Sequence, residues 1–193
     1  MMKSPTIWKL RFGAAALAVV AASLMAFQAT GAVFAATTEN AGNAFTAGSV
    51  TISDNDTGTA MFNLTNMKPN DNAVGCIEVT YSGSLNAEVR TYGASTAGDG
   101  LEDYLDLTIE RGTGTCGAFV ADVAVWTNGT DGDLGIFLGA ATDYATGVNT
   151  GVNAWQPTGT TMVPYRFTVD LQDNTLAQAK TVTVTFTWEA QNI

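Results

Sequence analysis

The sequence predicts an all-β protein, an antiparallel β-sandwich preceded by an N-terminal signal peptide. Three observations carry this. Beyond residue 35 apolar residues recur with period two, the apolar runs are separated by clusters of Gly, Asn, Asp and Ser, and hardly any stretch has a helical pattern. Alternation puts successive side chains on opposite faces of a strand, as a half-buried sheet requires. The separating residues are turn formers, through positive φ or through side-chain bonds to nearby backbone.

The leader comes first in the chain. Lys3, Lys9 and Arg11 form a basic region, Phe12 to Phe27 is apolar and almost uncharged, and Val33-Phe34-Ala35 offers a cleavage site after Ala35. This is the pattern of a secretory signal over residues 1–35. A permanent membrane span is the alternative, but Gln28 and Thr30 interrupt the run short of the ~20 apolar residues that a span needs. Residues 36–193 remain, enough for one domain with its own core.

The strands follow in order. Residues 60–65, 75–81 and 85–92 are the first candidates. In residues 105–110, Leu105, Leu107 and Ile109 alternate with Asp106, Thr108 and Glu110. Residues 119–126 come next, then 139–160, rich in Gly, Thr and Asn, which reads as a long surface connection. Tyr165, Phe167, Val169 and Leu171 alternate with Arg166, Thr168 and Asp170. Last, Val182, Val184, Phe186 and Trp188 share one face and threonines hold the other. Only residues 101–105 and 134–141 could hold a helical turn, and nearby glycines are expected to stop both.

One hairpin carries a conflict. If 82–84 is a three-residue loop, Ile77 faces Val89 and Val79 faces Ala87, but Glu78 then lies opposite Glu88. Like charges across a ladder are unfavourable. Either both acids point into water or the chain crosses between sheets at this point.

Charge and composition exclude several functions. The chain has 8 basic and 18 acidic residues, a net charge of −10; the leader holds three of the basic residues and no acid, so residues 36–193 carry −13. Such a field repels phosphate, which argues against nucleic acid as a partner. Histidine is absent from all 193 residues, so a Ser-His-Asp triad, a Cys-His pair and a histidine zinc site cannot be built. Two cysteines, Cys76 and Cys116, form a single disulfide if the chain is exported to an oxidising space; two buried thiols are the alternative.

Three kinds of site survive. Paired carboxylates, Glu78 with Glu88 or Glu102 with Asp103, are the one route left to a hydrolase, and solvated surface acids are the simpler reading. No cofactor is expected, apart from a weak case for calcium at Asp54 and Asp56 or at Asp131 and Asp133, which offer oxygen ligands in turns but fewer than a full loop needs. Trp155, in a polar loop before Pro157, is the one aromatic suited to an exposed glycan platform, while Trp188 belongs to a core face.

Short motifs in a fixed order then point to a family. Residues 42–50 (GNAFTAGSV), Met67-Lys68-Pro69-Asn70-Asp71 before a strand, Tyr165-Arg166-Phe167, and residues 186–191 (FTWEAQ) behind an export signal resemble the TasA/camelysin family of secreted bacterial proteins. The resemblance spans nearly all of the chain after the leader. It departs at Asn70, where the family often has glycine, and in the cysteine pair, which not all members have. It implies a jelly-roll sandwich, release by a SipW-type signal peptidase, and polymerisation into extracellular biofilm-matrix or cell-surface fibres, the partner being a second copy of the chain. A metalloprotease activity catalogued for camelysin members does not carry over, because no histidine exists to hold zinc.

Within that family a strand freed at the N-terminus inserts into the next subunit's sheet, so the resemblance assigns a donor role to residues 36–52. Phe45 and Ala47 mark one phase of that strand, Val50 and Ile52 the other, with Gly48 between them able to host a change of face. An ordinary first strand of the same domain is the alternative. Two other functions stay open: a monomeric module binding cell-wall or matrix polysaccharide through Trp155 and the acidic loops, and a secreted hydrolase.

Overall fold

The computed structural model describes residues 47–193, so the expected leader, residues 1–35, and the first part of the expected donor segment, with Phe45, lie outside the described residues. The described chain is mostly β. Its strands are β1 (Ile52–Asp54), β2 (Asn72–Tyr81), β3 (Ala87–Gly98), β4 (Leu105–Thr113), β5 (Val120–Thr127), β6 (Thr161–Leu171) and β7 (Val182–Asn192). Five make one sheet in the order β1-β2-β6-β4-β5, and β3 with β7 makes a second. Every pairing is antiparallel.

Alternation places the core. Ile77, Val79 and Tyr81 of β2, Leu105, Leu107 and Ile109 of β4, and Tyr165, Phe167, Val169 and Leu171 of β6 are all buried. Phe186 of β7 lies 4.7 Å from Phe167 of β6, ring centre to ring centre, and Trp188 lies 5.5 Å from Tyr165. The β7 stripe expected to be core is only half-buried against these residues.

The conflict at 82–84 is resolved by a crossing between sheets. Ile77 pairs with Tyr165 and Glu78 with Pro164, whereas Val89 pairs with Ala190 and Glu88 with Gln191. The two glutamates therefore sit in different sheets and never face each other. Pro164 is tolerated inside β6 because pairing with β4 ends at Tyr165, leaving no partner there for a missing N–H.

Residues 60–65 correct an expectation, for they are irregular and form no strand. Met61 and Phe62 instead pack over Gly75 of β2, where an added Cβ would collide with both. Two short helices also form, α1 (Asn128–Asp131), which was not expected, and α2 (Leu134–Ala140). The Asp133 carboxylate caps α2 by accepting the Ile136 N–H at 2.9 Å. Gly132 falls before that cap, so it does not stop the helix, and α2 buries Leu134 and Phe137, the latter edge-on to Trp126.

Cys76 and Cys116 are disulfide-bonded with Cα atoms 5.6 Å apart. Cys76 pairs with Arg166 of β6, so the bridge ties β2 across β6 to the β4–β5 connection on the outer face of the large sheet. Under it, Arg166 donates twice to Glu110 Oε2, at 2.9 and 2.6 Å, with its guanidinium 4.4 Å from the Phe119 ring centre. The Glu78 carboxylate accepts the Cys116 N–H at 2.7 Å. Structural disulfides belong to oxidising compartments. Among the described residues no helix is long and apolar enough to cross a membrane.

Candidate functional site

Four strand edges bound the two sheets, and an unprotected edge is a template for another chain. Three are blunted. β1 is only three residues long. β5 carries two register shifts against β4, which twist it away from a straight template. The outer edge of β3 is covered by residues 141–157, the stretch expected to be a surface connection. There Ala87 donates to the Pro157 carbonyl, Val89 to that of Trp155 and Gly93 to that of Ala141, while Thr91 and Val148 exchange N–H donors.

A buried network holds this cover down. The Asn149 amide donates to the Val89 carbonyl at 3.2 Å and to the Tyr165 hydroxyl at 3.0 Å, and its Oδ1 accepts from Arg111 Nη1 at 2.7 Å. Arg90 donates to the carbonyls of Tyr144 and Ala145 and to Glu88 Oε1, and Gln156 donates to Glu88 Oε2. The Gln156 bond first, and Arg90 second, hold the Glu88 carboxyl below its ordinary pKa of 4.5. Burial raises the Tyr165 hydroxyl far above the usual tyrosine range, so that side chain stays neutral in the core.

β7 is different. It runs for 11 residues, and among the described residues its one strand partner is β3. It has no proline and no lysine, and Glu189 is its only charge. Beside it runs a groove of ≈ 180 Å³ walled by Ile52 and Asp54 of β1, Val79 of β2, and Phe186 and Trp188 of β7. The Trp188 Nε1 lies buried at this wall with no acceptor. A second hollow, ≈ 760 Å³, opens by Val182 at the start of β7, between Leu64 to Met67 and the turn carrying Lys180. Desolvation at the groove mouth, and then the neighbouring Asp56, raise the Asp54 carboxyl above its ordinary 3.8.

The residues singled out from sequence do not gather at this edge. Ala47 is exposed, while Val50 and Ile52 are half-buried against the core of their own domain, with Ile52 paired to Tyr81. Trp155 is buried, 6.3 Å from Tyr165 by ring centres, and is no glycan platform; its backbone bridge to β3 turns the ring inward. Asp56 and Asp131 accept backbone N–H groups of Gly58 and Thr127, and Asp133 caps α2, so these carboxylates shape turns. Among the described residues no three His, Cys, Asp or Glu side chains gather as a ligand set. Glu102 and Asp103 lie together in the 3₁₀ turn Leu101–Tyr104.

No protein-family model matches the chain, and no curated protein is significantly similar to it.

Proposed function

We propose that this chain is an exported, non-catalytic subunit that polymerises head to tail into extracellular fibres, each copy donating its N-terminal strand to the next. The observation that supports this best is the edge of β7, long and uncharged over Val182 to Trp188, beside a groove that keeps its inward aromatics half-buried. A backbone strand added there would extend a two-stranded sheet and cover Phe186 and Trp188. A contact of this kind that does not close on itself yields a filament.

The order of the strands supports the same reading. Pairing β2 with β6 and β3 with β7 follows strands B with E and C with F of an immunoglobulin-type sandwich, whose sheets are A-B-E-D and C-F-G. β7 takes the place of F, and no described strand takes the place of G. We therefore infer an immunoglobulin-like sandwich completed from outside at the G position, in place of the jelly roll that the resemblance to the TasA/camelysin family implies.

The donor ends before Ser49. From that residue the chain is bonded to its own subunit, Ser49 donating to Ser84 Oγ and accepting from the Ser84 N–H, both at 2.9 Å. Residues 36–48 remain for donation after cleavage at Ala35, about 43 Å when extended, against about 36 Å for β7. The test is electron microscopy of the purified chain 36–193. Filaments are expected, and none once residues 36–48 are deleted; a monomer that stays dispersed with its N-terminus intact would overturn the proposal.

A further inference from the structure

Resting on the strand-donation reading, we infer the direction and register of the inserted strand: residues 38–48 of a neighbouring copy lie parallel to β7, with Phe45 beside Trp188 and Glu39 at Lys180. Two features of the donor and two of the acceptor select this arrangement. Within 36–48, Phe45 is the one large apolar side chain and Glu39 the one charged side chain. Six residues separate them, so on a strand they face the same way, about 20 Å apart.

The acceptor offers a matching pair at the same spacing. The apolar groove lies against Phe186 and Trp188, and Trp188 is six residues beyond Val182, which borders the second hollow together with Lys180. Val182, Val184, Phe186 and Trp188 share the inward face of β7. Lys180 lies there, its Nζ donating to the Asp99 carbonyl at 2.7 Å and lying 5.7 Å from the Tyr104 ring centre. Among the described residues only Arg90 and Arg166 form ion pairs. Lys180 thus has no carboxylate of a described residue within 4 Å, and its Nζ, now turned toward Asp99 at the end of β3, would swing across to the free edge to meet Glu39, in a chain whose acids far outnumber its bases.

Parallel alignment satisfies both contacts at once. With Phe45 beside Trp188, residue 39 falls beside Val182, within a side-chain length of Lys180. Antiparallel alignment on the same anchor would carry residue 39 past Asn192, the end of β7, where Glu189 of β7 and Glu88 of β3, opposite Gln191, supply acids. Repulsion there would oppose insertion.

The experiment is cysteine cross-linking in assembled chain 36–193. Glu39→Cys combined with Val182→Cys, directly opposite each other in this register, polymerised and oxidised, should run as a covalent ladder on a non-reducing denaturing gel. Gly42→Cys with Gln191→Cys, opposite each other only in the antiparallel alignment, should stay monomeric. Filaments whose only ladder comes from the Gln191 pair, or from neither pair, would overturn the register and leave strand donation standing. A Val182-pair product that is only an internally linked monomer, with no filaments from the unsubstituted chain, would overturn both. Charge reversal gives a second readout that needs no new thiol: Lys180→Glu should slow elongation about threefold, and adding Glu39→Lys should restore it. Loss that the second substitution does not restore counts against the pair.

Discussion

The Trp188 ring of β7 packs 5.5 Å from Tyr165 of β6, tilted by 59°, while its indole N–H finds no acceptor, so one side chain both closes the core and forms the groove wall. Trp188→Ala should lower stability by about 2–3 kcal/mol, because contacts with Tyr165 and Phe167 are lost from a half-buried site. Trp188→Phe keeps a ring there and should cost under about 1.5 kcal/mol. Thermal melts of the two variants compare them, and equal losses would mean that the ring is not packed.

Asn149 joins three elements in one buried site. Asn149→Ala strands Arg111 Nη1 without its Oδ1 partner and leaves the Val89 carbonyl and Tyr165 hydroxyl without their donor. A loss of about 2–3 kcal/mol is expected in denaturant melts. Loosening of 141–157 also exposes the β3 edge, so light scattering on standing should rise above that of the parent protein. A variant as stable as the parent would refute the latch.

The Cys76–Cys116 bridge closes a separation of 40 residues. In the chain-entropy account that is worth about 4 kcal/mol. Replacing both cysteines with alanine should therefore lower the melting temperature by about 10 °C. Since Glu78 accepts the Cys116 N–H and the Arg166 guanidinium lies on the Phe119 ring independently of the bridge, the fold should survive, and a retained far-ultraviolet spectrum checks this.

Acid should weaken the cover over β3. Glu88 titrates below its ordinary 4.5 in the fold, so its stabilising share is present in full above 4.5 and is lost as pH falls through the folded value. Glu88→Gln should flatten that part of the acid limb in melts stepped through this range. An unchanged limb would assign acid sensitivity to other carboxylates.

Assembly should have the opposite slope at Asp54. Its carboxyl already sits above 3.8 at the groove mouth, and an inserted strand would desolvate it further. Insertion then takes up a proton, and elongation strengthens as pH falls toward that value. Asp54→Asn should elongate faster than the parent near neutrality and show a flatter pH profile in turbidity traces; a profile identical to the parent's would clear Asp54 of any part.

What the sequence determined by itself was local. Period-two alternation located six of the seven strands and the faces of β4 and β6, because a strand's inward set depends only on its own residues. Two cysteines behind a stretch with the pattern of a secretory signal were enough to expect the bridge that the structure contains. Residues 60–65 misled because an alternating pattern needs a ladder partner, and the only surface left for Met61 and Phe62 was the gap over Gly75. Trp155 misled because its neighbours in sequence are polar while its neighbours in space are Tyr165 and β3. The open edge could not be read at all. Nothing in Val182 to Asn192 says which strands lie beside it; that was decided when β2 and β3 parted into different sheets and residues 141–157 took the outer side of β3, leaving β7 with one neighbour among the described residues. Edge status is a property of pairing between distant segments, and pairing is set by how whole faces pack together.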